Sequence, residues 1–439
     1  MKLYTIRNLE SLLQKHQNYS SIVSKHYKRL FIDKCNWFIT HIIKNQIKSE
    51  KGLGELVNIH SKTLKESIGN KYNSIINALV DIEIVYINEK YSSGKFTKSY
   101  ALKKNLNEGD YKMVEVSSKA FRNKLKEFNA RLAKESESNP ILDKINRNTL
   151  KIQLTNNPAA YLLDFPLKHS PLKHGTLVWR DDNIQQRLNK YEAYFKAFRT
   201  LNKTNNLNEL YELPIFFQPI INQIGRVYHI GASMPRLIRK ICVTKSDELI
   251  YEVDMASAQP SLLILEWIRS LGSMSEEANK CLELVANGNV YKHLENNSEV
   301  LRDMNYGKMK KGILTTFNGE YKPTKLYKEL KALLPELIKW IDNIKFNEGY
   351  KKVSHRGQSA EAKVFVEVYK NLPEDMFALL IHDCILTTEN KTQMVKDRLI
   401  KRVRELYKDV IPKDLNIDKL FKTNKVSVVR WLDYRSVSD

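Results

Sequence analysis

The chain has 439 residues, too many for one small module; at roughly 150 residues per domain it suggests about three structural units. Seventy-two Lys and Arg against 50 Asp and Glu give a net charge of +22, which favours a polyanionic partner, while 42% apolar content excludes a wholly disordered chain. No apolar run approaches the ~20 residues of a membrane span, the start MKLYTIRNLESLLQK lacks the apolar stretch of a secretory signal, and four widely spaced cysteines (Cys35, Cys242, Cys281, Cys384) argue against a zinc ribbon or disulfide framework. A basic protein of the cytoplasm of a bacterial host cell, or of an equivalent nucleic-acid compartment, is expected.

Three regions follow in chain order. In the first, residues 1–105, SKTLKESIG offers a serine for a helix N-cap at Ser61 and a glycine for the C-cap at Gly69. KYNSIINALVDIEIV places Ile75, Ile76, Leu79 and Val80 at helical spacing, then alternates through Ile82 and Ile84. VYINEKYSSGKFTKSYALK reads as a hairpin with its loop at Ser92-Ser93-Gly94. Helix, turn, helix and β-ribbon in this order resemble a winged-helix module, whose second helix can enter a DNA groove while a basic wing, here Lys90, Lys95 and Lys98, touches the backbone.

The second region, residues 106–215, is charged and mostly helical. Phe121, Leu125, Phe128 and Leu132 fall one per turn of a helix that Ser136–Pro140 ends. It reads as a helical linker or thumb-like scaffold that could grip a duplex.

The third region, residues 216–439, holds the informative spacing. LIYEVDMASAQPSLLIL begins as a strand from Leu249 to Val253, reaches Asp254, and turns at Ala256–Pro260 into an apolar helix. MFALLIHDCILTT sets two apolar β runs around His382-Asp383, so a hairpin would put Asp383 at its tip or on an edge. A carboxylate at the end of a buried strand is costly unless paired or bound to a cation; two side by side would suit two magnesium ions, which prefer oxygen ligands. Between them, Arg302, Tyr306 and Lys310 recur every four residues and so would share one helical face, flanked by Lys308 and Lys311, until Asn318-Gly319 breaks the helix. Such a face can hold a triphosphate.

Carboxylate, basic helix, carboxylate: in this order the segments resemble the palm and fingers of family A DNA polymerases and of single-subunit, phage-type RNA polymerases. VDMASAQPSLL is similar to their first catalytic motif, NYGKMKKGILTTFNG to their fingers helix, SHRGQSAEAKVFVEVYKNL to the Gln-containing helix that follows, LLIHDCILTT to their His-Asp motif, and IGRVYHIGASMPRLIRK to the Gly-Arg-Val-Tyr element of the RNA enzymes. The resemblance covers about half the chain, all of it C-terminal. It implies an α+β fold with palm and fingers in residues 216–439 (fingers about 270–350). It also implies a nucleotidyltransferase using two Mg2+ ions, with Mn2+ as an alternative, a DNA template, an RNA or DNA product strand and nucleoside triphosphates.

By that resemblance Asp254, Asp383 and the backbone carbonyl of Met255 would hold the metals. Lys310 would bind the triphosphate, and Arg302, Tyr306, Gln259 and Asn318 would line the nucleotide site. His382 would sit near the growing 3′ end. Arg226, Tyr228, Gln358, Arg236 and Arg239 would contact nucleic acid. There are departures: Asn318 stands where the family has tyrosine, Tyr306 where it has arginine, and Gln259 is the polar residue near the position at which the DNA enzymes carry a glutamate that blocks the 2′-hydroxyl. Cys384 after the His-Asp pair is closer to the serine of the RNA enzymes. These points tilt the reading toward ribonucleotides, with a DNA polymerase as the alternative. No GxxxxGK[ST] loop, GxSxG elbow or HExxH motif occurs, and a separate specificity factor is expected to choose the start site. Two further readings remain: a DNA-binding replication initiator or repressor without catalysis, and a primase-like enzyme that starts chains unaided.

Overall fold

A computed structural model of the chain describes residues 2–6, 8–48, 56–88, 98–102, 111–154, 219–234, 239–240 and 242–427. The fold is α+β, rich in helix, with small antiparallel sheets. Among the described residues no helix is long and apolar enough to cross a membrane. Two compact units form. The first holds the described residues up to 139 with Ser233 and Met234; the second holds 140–154, 219–232 and those from Arg239 onward.

The first unit runs β1 (Lys2–Ile6), α1 (Leu9–Gln14), α2 (Gln17–Ser20), α3 (Lys25–Lys48), β2 (Val57–Asn58), α4 (Ser61–Ile68), α5 (Tyr72–Asp81), β3 (Val85–Asn88), β4 (Ser99–Leu102), β5 (Tyr111–Glu115) and α6 (Lys119–Glu137). Its spine is α3, whose Cys35, Phe38, Ile39 and Ile42 recur at helical spacing and are buried. Around it lie the sheet β2-β4-β3 and the pair β1-β5. The expected helix, turn, helix and hairpin are present as α4, α5, β3 and β4, with Val85 opposite Leu102 and Asn88 opposite Ser99. The hairpin loop with Lys90 and Lys95 lies outside the described residues. One local expectation is corrected: the cap position of α4 belongs to His60, and Ser61 is already helical, so no side chain caps that end. Asp33 on α3 is buried, and accepts from the Ser117 amide (3.1 Å), the Ser118 amide (2.7 Å) and the Ser117 hydroxyl (3.0 Å). It thereby ties the start of α6 to the spine.

The region expected as one linker, 106–215, is divided. β5 pairs with β1 and α6 belongs to the first unit, because Phe121 and Leu125 of α6, with Val116 between the two elements, complete its core. The chain then enters the second unit at α7 (Pro140–Thr149) and β6 (Ile152–Leu154). Residues 106–110 and 155–215 of that region lie outside the described residues.

The second unit continues with β7 (Ile220–Ile221), β8 (Val227–Tyr228), β9 (Cys242–Thr244), β10 (Ile250–Met255), α8 (Ala258–Arg269), α9 (Glu276–Ala286), α10 (Val290–Asn296), α11 (Glu299–Arg302), α12 (Tyr306–Asn318), α13 (Lys325–Leu333), α14 (Pro335–Asn347), α15 (Lys351–Lys370), β11 (Ala378–Ile381), β12 (Cys384–Thr388), α16 (Thr392–Leu406) and β13 (Phe421–Lys425). Its centre is a four-stranded antiparallel sheet, order β11-β12-β10-β13. Every residue of β11 and β12 is buried, which explains their unbroken apolar sequences. The edge strand β13 buries Phe421 and exposes Lys422 to Lys425, a charged edge that discourages further strand pairing. Helix α15 packs against both α8 and α16. Between α9 and α10, Gly288 adopts φ +66°, and a Cβ there would meet the Lys419 carbonyl at 2.6 Å and the Ala256 methyl at 3.0 Å. Only glycine lets this turn close on the segment that follows β10.

Candidate active site

The sheet register brings the two predicted aspartates together. Asp254, near the end of β10, lies opposite Cys384, the first residue of β12. β11 and β12 form a hairpin whose two-residue turn is His382-Asp383, with His382 at φ +48°. The Met255 amide donates to the Asp383 carbonyl at 3.2 Å, fixing the hairpin tip against the end of β10. The Asp254 carboxyl is pushed up from 3.8 to about 7, first by burial, then by the charges of Asp383 and Glu252; Lys310 pulls the other way. Glu252 shares the face of β10 with Asp254 and accepts from the Asn424 side-chain Nδ2 at 3.3 Å. Negative charge is thus concentrated where solvent screening is weak, an arrangement that a cation relieves.

The positive side is α12. Asn305 caps it, its side chain accepting from the Lys308 amide at 3.0 Å. Met309, Ile313 and Phe317 form its buried stripe, which leaves Lys310 on the flank. The Lys310 ammonium lies 5.5 Å from the Tyr291 ring and 5.7 Å from the Tyr306 ring, and these rings meet edge to face at 6.4 Å. Tyr291 is buried and its phenol is pushed up by burial, then by Tyr306 and Asp383. Lys310 therefore stands between an aromatic cradle and the aspartates. At the far end Asn318 donates to the Gln259 side chain at 3.2 Å, tying α12 to the start of α8, while its own carbonyl oxygen is buried without a partner. Lys345 of α14 is buried, and its ammonium donates to the Thr316 carbonyl at 2.6 Å.

The expectation that Arg302 shares a helical face with Tyr306 and Lys310 is corrected. Arg302 ends the separate helix α11, and the N-cap at Asn305 starts α12 anew. The Arg302 guanidinium donates instead to the Asn296 carbonyl at the end of α10 (3.0 Å).

A third side of the site is built around Glu361. On α15 it is buried and takes both Nε and Nη2 of Arg226, at 2.8 and 2.6 Å. Burial pushes its carboxyl up to about 7, against the pull of Arg226, and the Asp383 charge adds to the rise. Gln358 lies three residues earlier on α15, about one turn, and is half-buried. Tyr228 meets the His382 ring edge-on at 5.4 Å. Burial, followed by Arg226, pushes the His382 imidazole down to about 4, although Asp383 opposes it, and its Nδ1 is buried without a partner. Arg239 is close enough that its charge lowers the His382 value as well. His229 is buried and donates to the Leu380 carbonyl of β11 at 2.5 Å. Arg236 lies outside the described residues.

The structure therefore gathers Asp254, Met255, Asp383, Lys310, Tyr306, His382, Tyr228, Arg226 and Arg239 around one place, with Gln259 and Asn318 joined at its end. Sequence reasoning missed Glu361, Tyr291, Glu252 and Lys345. Of these, Glu252 was legible as the acid two positions before Asp254, and Glu361 as the acid one turn past Gln358; nothing in the sequence marks Tyr291. Among the described residues no group of three or more His, Cys, Asp and Glu side chains gathers as a metal cage. Two hard oxygen donors and a backbone carbonyl suit magnesium, which keeps several waters and usually takes one or two carboxylates. No protein-family model and no curated protein matches the chain.

Proposed function

We propose that the chain is a template-directed nucleic-acid polymerase that copies DNA, with RNA as its favoured product. One observation carries the reading: Asp254 and Asp383 adjoin across β10 and the β11–β12 tip, with Lys310 drawing on the same charge. The order of motifs described above supports it, and β10, α12, α15 and the hairpin occur where the resemblance to family A and phage-type polymerases calls for them. On this reading the four-stranded sheet with α8, α15 and α16 is a palm, and α9 to α14 are fingers.

Asp254, Asp383 and the Met255 carbonyl would hold magnesium, which when bound activates the 3′-hydroxyl and neutralises the pyrophosphate. The chain's own groups do the rest. Lys310 binds the incoming triphosphate and supplies a proton to the leaving pyrophosphate. Tyr291 and Tyr306 keep that ammonium aimed. Glu361 holds Arg226, which with Tyr228 braces His382 beside the growing 3′ end. Gln259, a neutral amide bound to Asn318, leaves the ribose 2′-hydroxyl less obstructed than a glutamate would. In the first unit, α4, α5 and the β3–β4 hairpin form a winged-helix-like module that grips duplex DNA, and a separate factor selects the start site.

The test is direct. The protein is mixed with a primed DNA template, magnesium and labelled nucleotides, with rNTPs and dNTPs in parallel and one arm without primer. Extension with rNTPs is expected; extension with dNTPs alone would make the chain a DNA polymerase, and synthesis without primer a primase-like enzyme. No incorporation with either set would leave the second reading, a non-catalytic DNA-binding initiator or repressor. The loss of an arginine from α12 and Asn318 at the tyrosine position motivate that alternative.

A further inference from the structure

The second unit exposes aromatic rings away from the carboxylates. Tyr321, in the segment after α12, is 42% exposed, and Phe346, on α14, is 69% exposed. Their ring centroids lie 5.4 Å apart at an interplanar angle of 46°. Single exposed aromatics are ordinary, but two in contact lose hydration without completing a core. Their position is enforced from below. Tyr327 of α13 is buried, meets Tyr321 edge to face at 5.1 Å, and donates its hydroxyl to the buried Asp342 at 2.6 Å.

Positive charge predominates around the rings, although the Lys325 ammonium lies 3.9 Å from the exposed Glu299 carboxylate. Lys325, Lys328 and Lys331 recur every three residues along α13 and are exposed, as is Lys322 beside Tyr321. The Lys331 ammonium lies 5.7 Å from the Tyr327 ring. Of the neighbouring acids, Asp342 is engaged by Tyr327, Glu348 by Arg356 at 2.5 Å and Glu329 by Ser298. Glu320 is exposed. Position adds a third argument. Tyr321 is three residues past Asn318, so at ~3.6 Å per residue their Cα atoms are within about 11 Å.

We infer that Tyr321 and Phe346 form a stacking platform for single-stranded DNA, with the α13 lysines following its phosphates. Flat apolar faces beside a row of cations match what an unpaired strand offers, bases with π faces on a polyanionic backbone. Resting on the proposed polymerase reading, the strand is the unpaired template on its way to the end of α12.

Binding of a fluorescein-labelled single-stranded DNA of about 15 nucleotides to the full chain tests this by anisotropy, with a duplex of the same sequence alongside. Salt is raised to weaken contacts that depend on charge alone. The double variant Tyr321→Leu, Phe346→Leu is expected to bind the single strand about tenfold more weakly, with duplex binding changed less than twofold. The double variant Tyr321→Phe, Phe346→Tyr keeps both rings and is expected to stay within about twofold of the parent. Equal single-strand binding by the parent and the leucine variant, or equal losses on single strand and duplex, would overturn the platform. Primer extension by the same proteins separates the two claims: a parent that extends no primer, but whose single-strand binding needs the rings, keeps the platform and loses the polymerase reading.

Discussion

Asp33 in the first unit is buried and Asp254 in the second is half-buried, and their surroundings differ. Asp33 accepts from two amides and a hydroxyl, and its carboxylate is consumed in holding α6 to α3. Asp254 feels the charges of Asp383 and Glu252, and its carboxyl is raised to about 7, first by burial. A buried charge answered by donors is architecture. One surrounded by like charge destabilises the fold, and persists where a ligand is meant to answer it.

Substitutions break this comparison most visibly in activity. Asp254→Asn or Asp383→Asn is expected to lower nucleotide incorporation by more than about a thousandfold while DNA binding, measured by anisotropy, stays intact. Lys310→Ala comes next, with a loss of about a hundredfold in kcat/KM for the nucleotide, partly restored by arginine.

Stability sharpens the contrast because its sign differs between the units. Asp33→Ala strands the donors of Ser117 and Ser118 and is expected to cost about 3 kcal/mol in denaturant unfolding. Asp254→Asn removes a charge the fold disfavours at neutral pH, so its melting temperature is expected to rise by a few degrees. A fall as large as that of Asp33→Ala would make Asp254 a structural residue.

The smallest effect concerns acid. The folded chain keeps His229 neutral down to about 4, whereas unfolded it titrates near 6.5. Between those values the unfolded state binds the extra proton, so this contribution is complete above about pH 6.5 and is lost as pH falls toward 4. His229→Gln is expected to flatten that part of the stability profile, by up to about 3 kcal/mol, in urea titrations at successive pH values.

What the sequence revealed was local. β10 and the hairpin were legible because an apolar run ending in an acid has few other readings, and α12 because its apolar stripe keeps helical period up to Asn318-Gly319. The break before α12 was missed because Asn305, a capping residue, sat within a spacing that looked continuous from Arg302 to Lys310. The pair Arg226–Glu361 and the Tyr291 cradle joined residues far apart in the chain, whose meeting depends on packing that no periodicity encodes. The division of residues 106–215 escaped for the same reason: β5 pairs back with β1 at the start of the chain, and β6 pairs forward with β9 near its middle.

The claim on which the account rests is that Asp254 and Asp383 together hold divalent cations, and manganese binding followed by electron paramagnetic resonance measures it without catalysis. The parent is expected to take up Mn2+, to release it to excess Mg2+, and to lose that uptake in both Asp254→Asn and Asp383→Asn. Equal manganese binding by the parent and the two variants would contradict it.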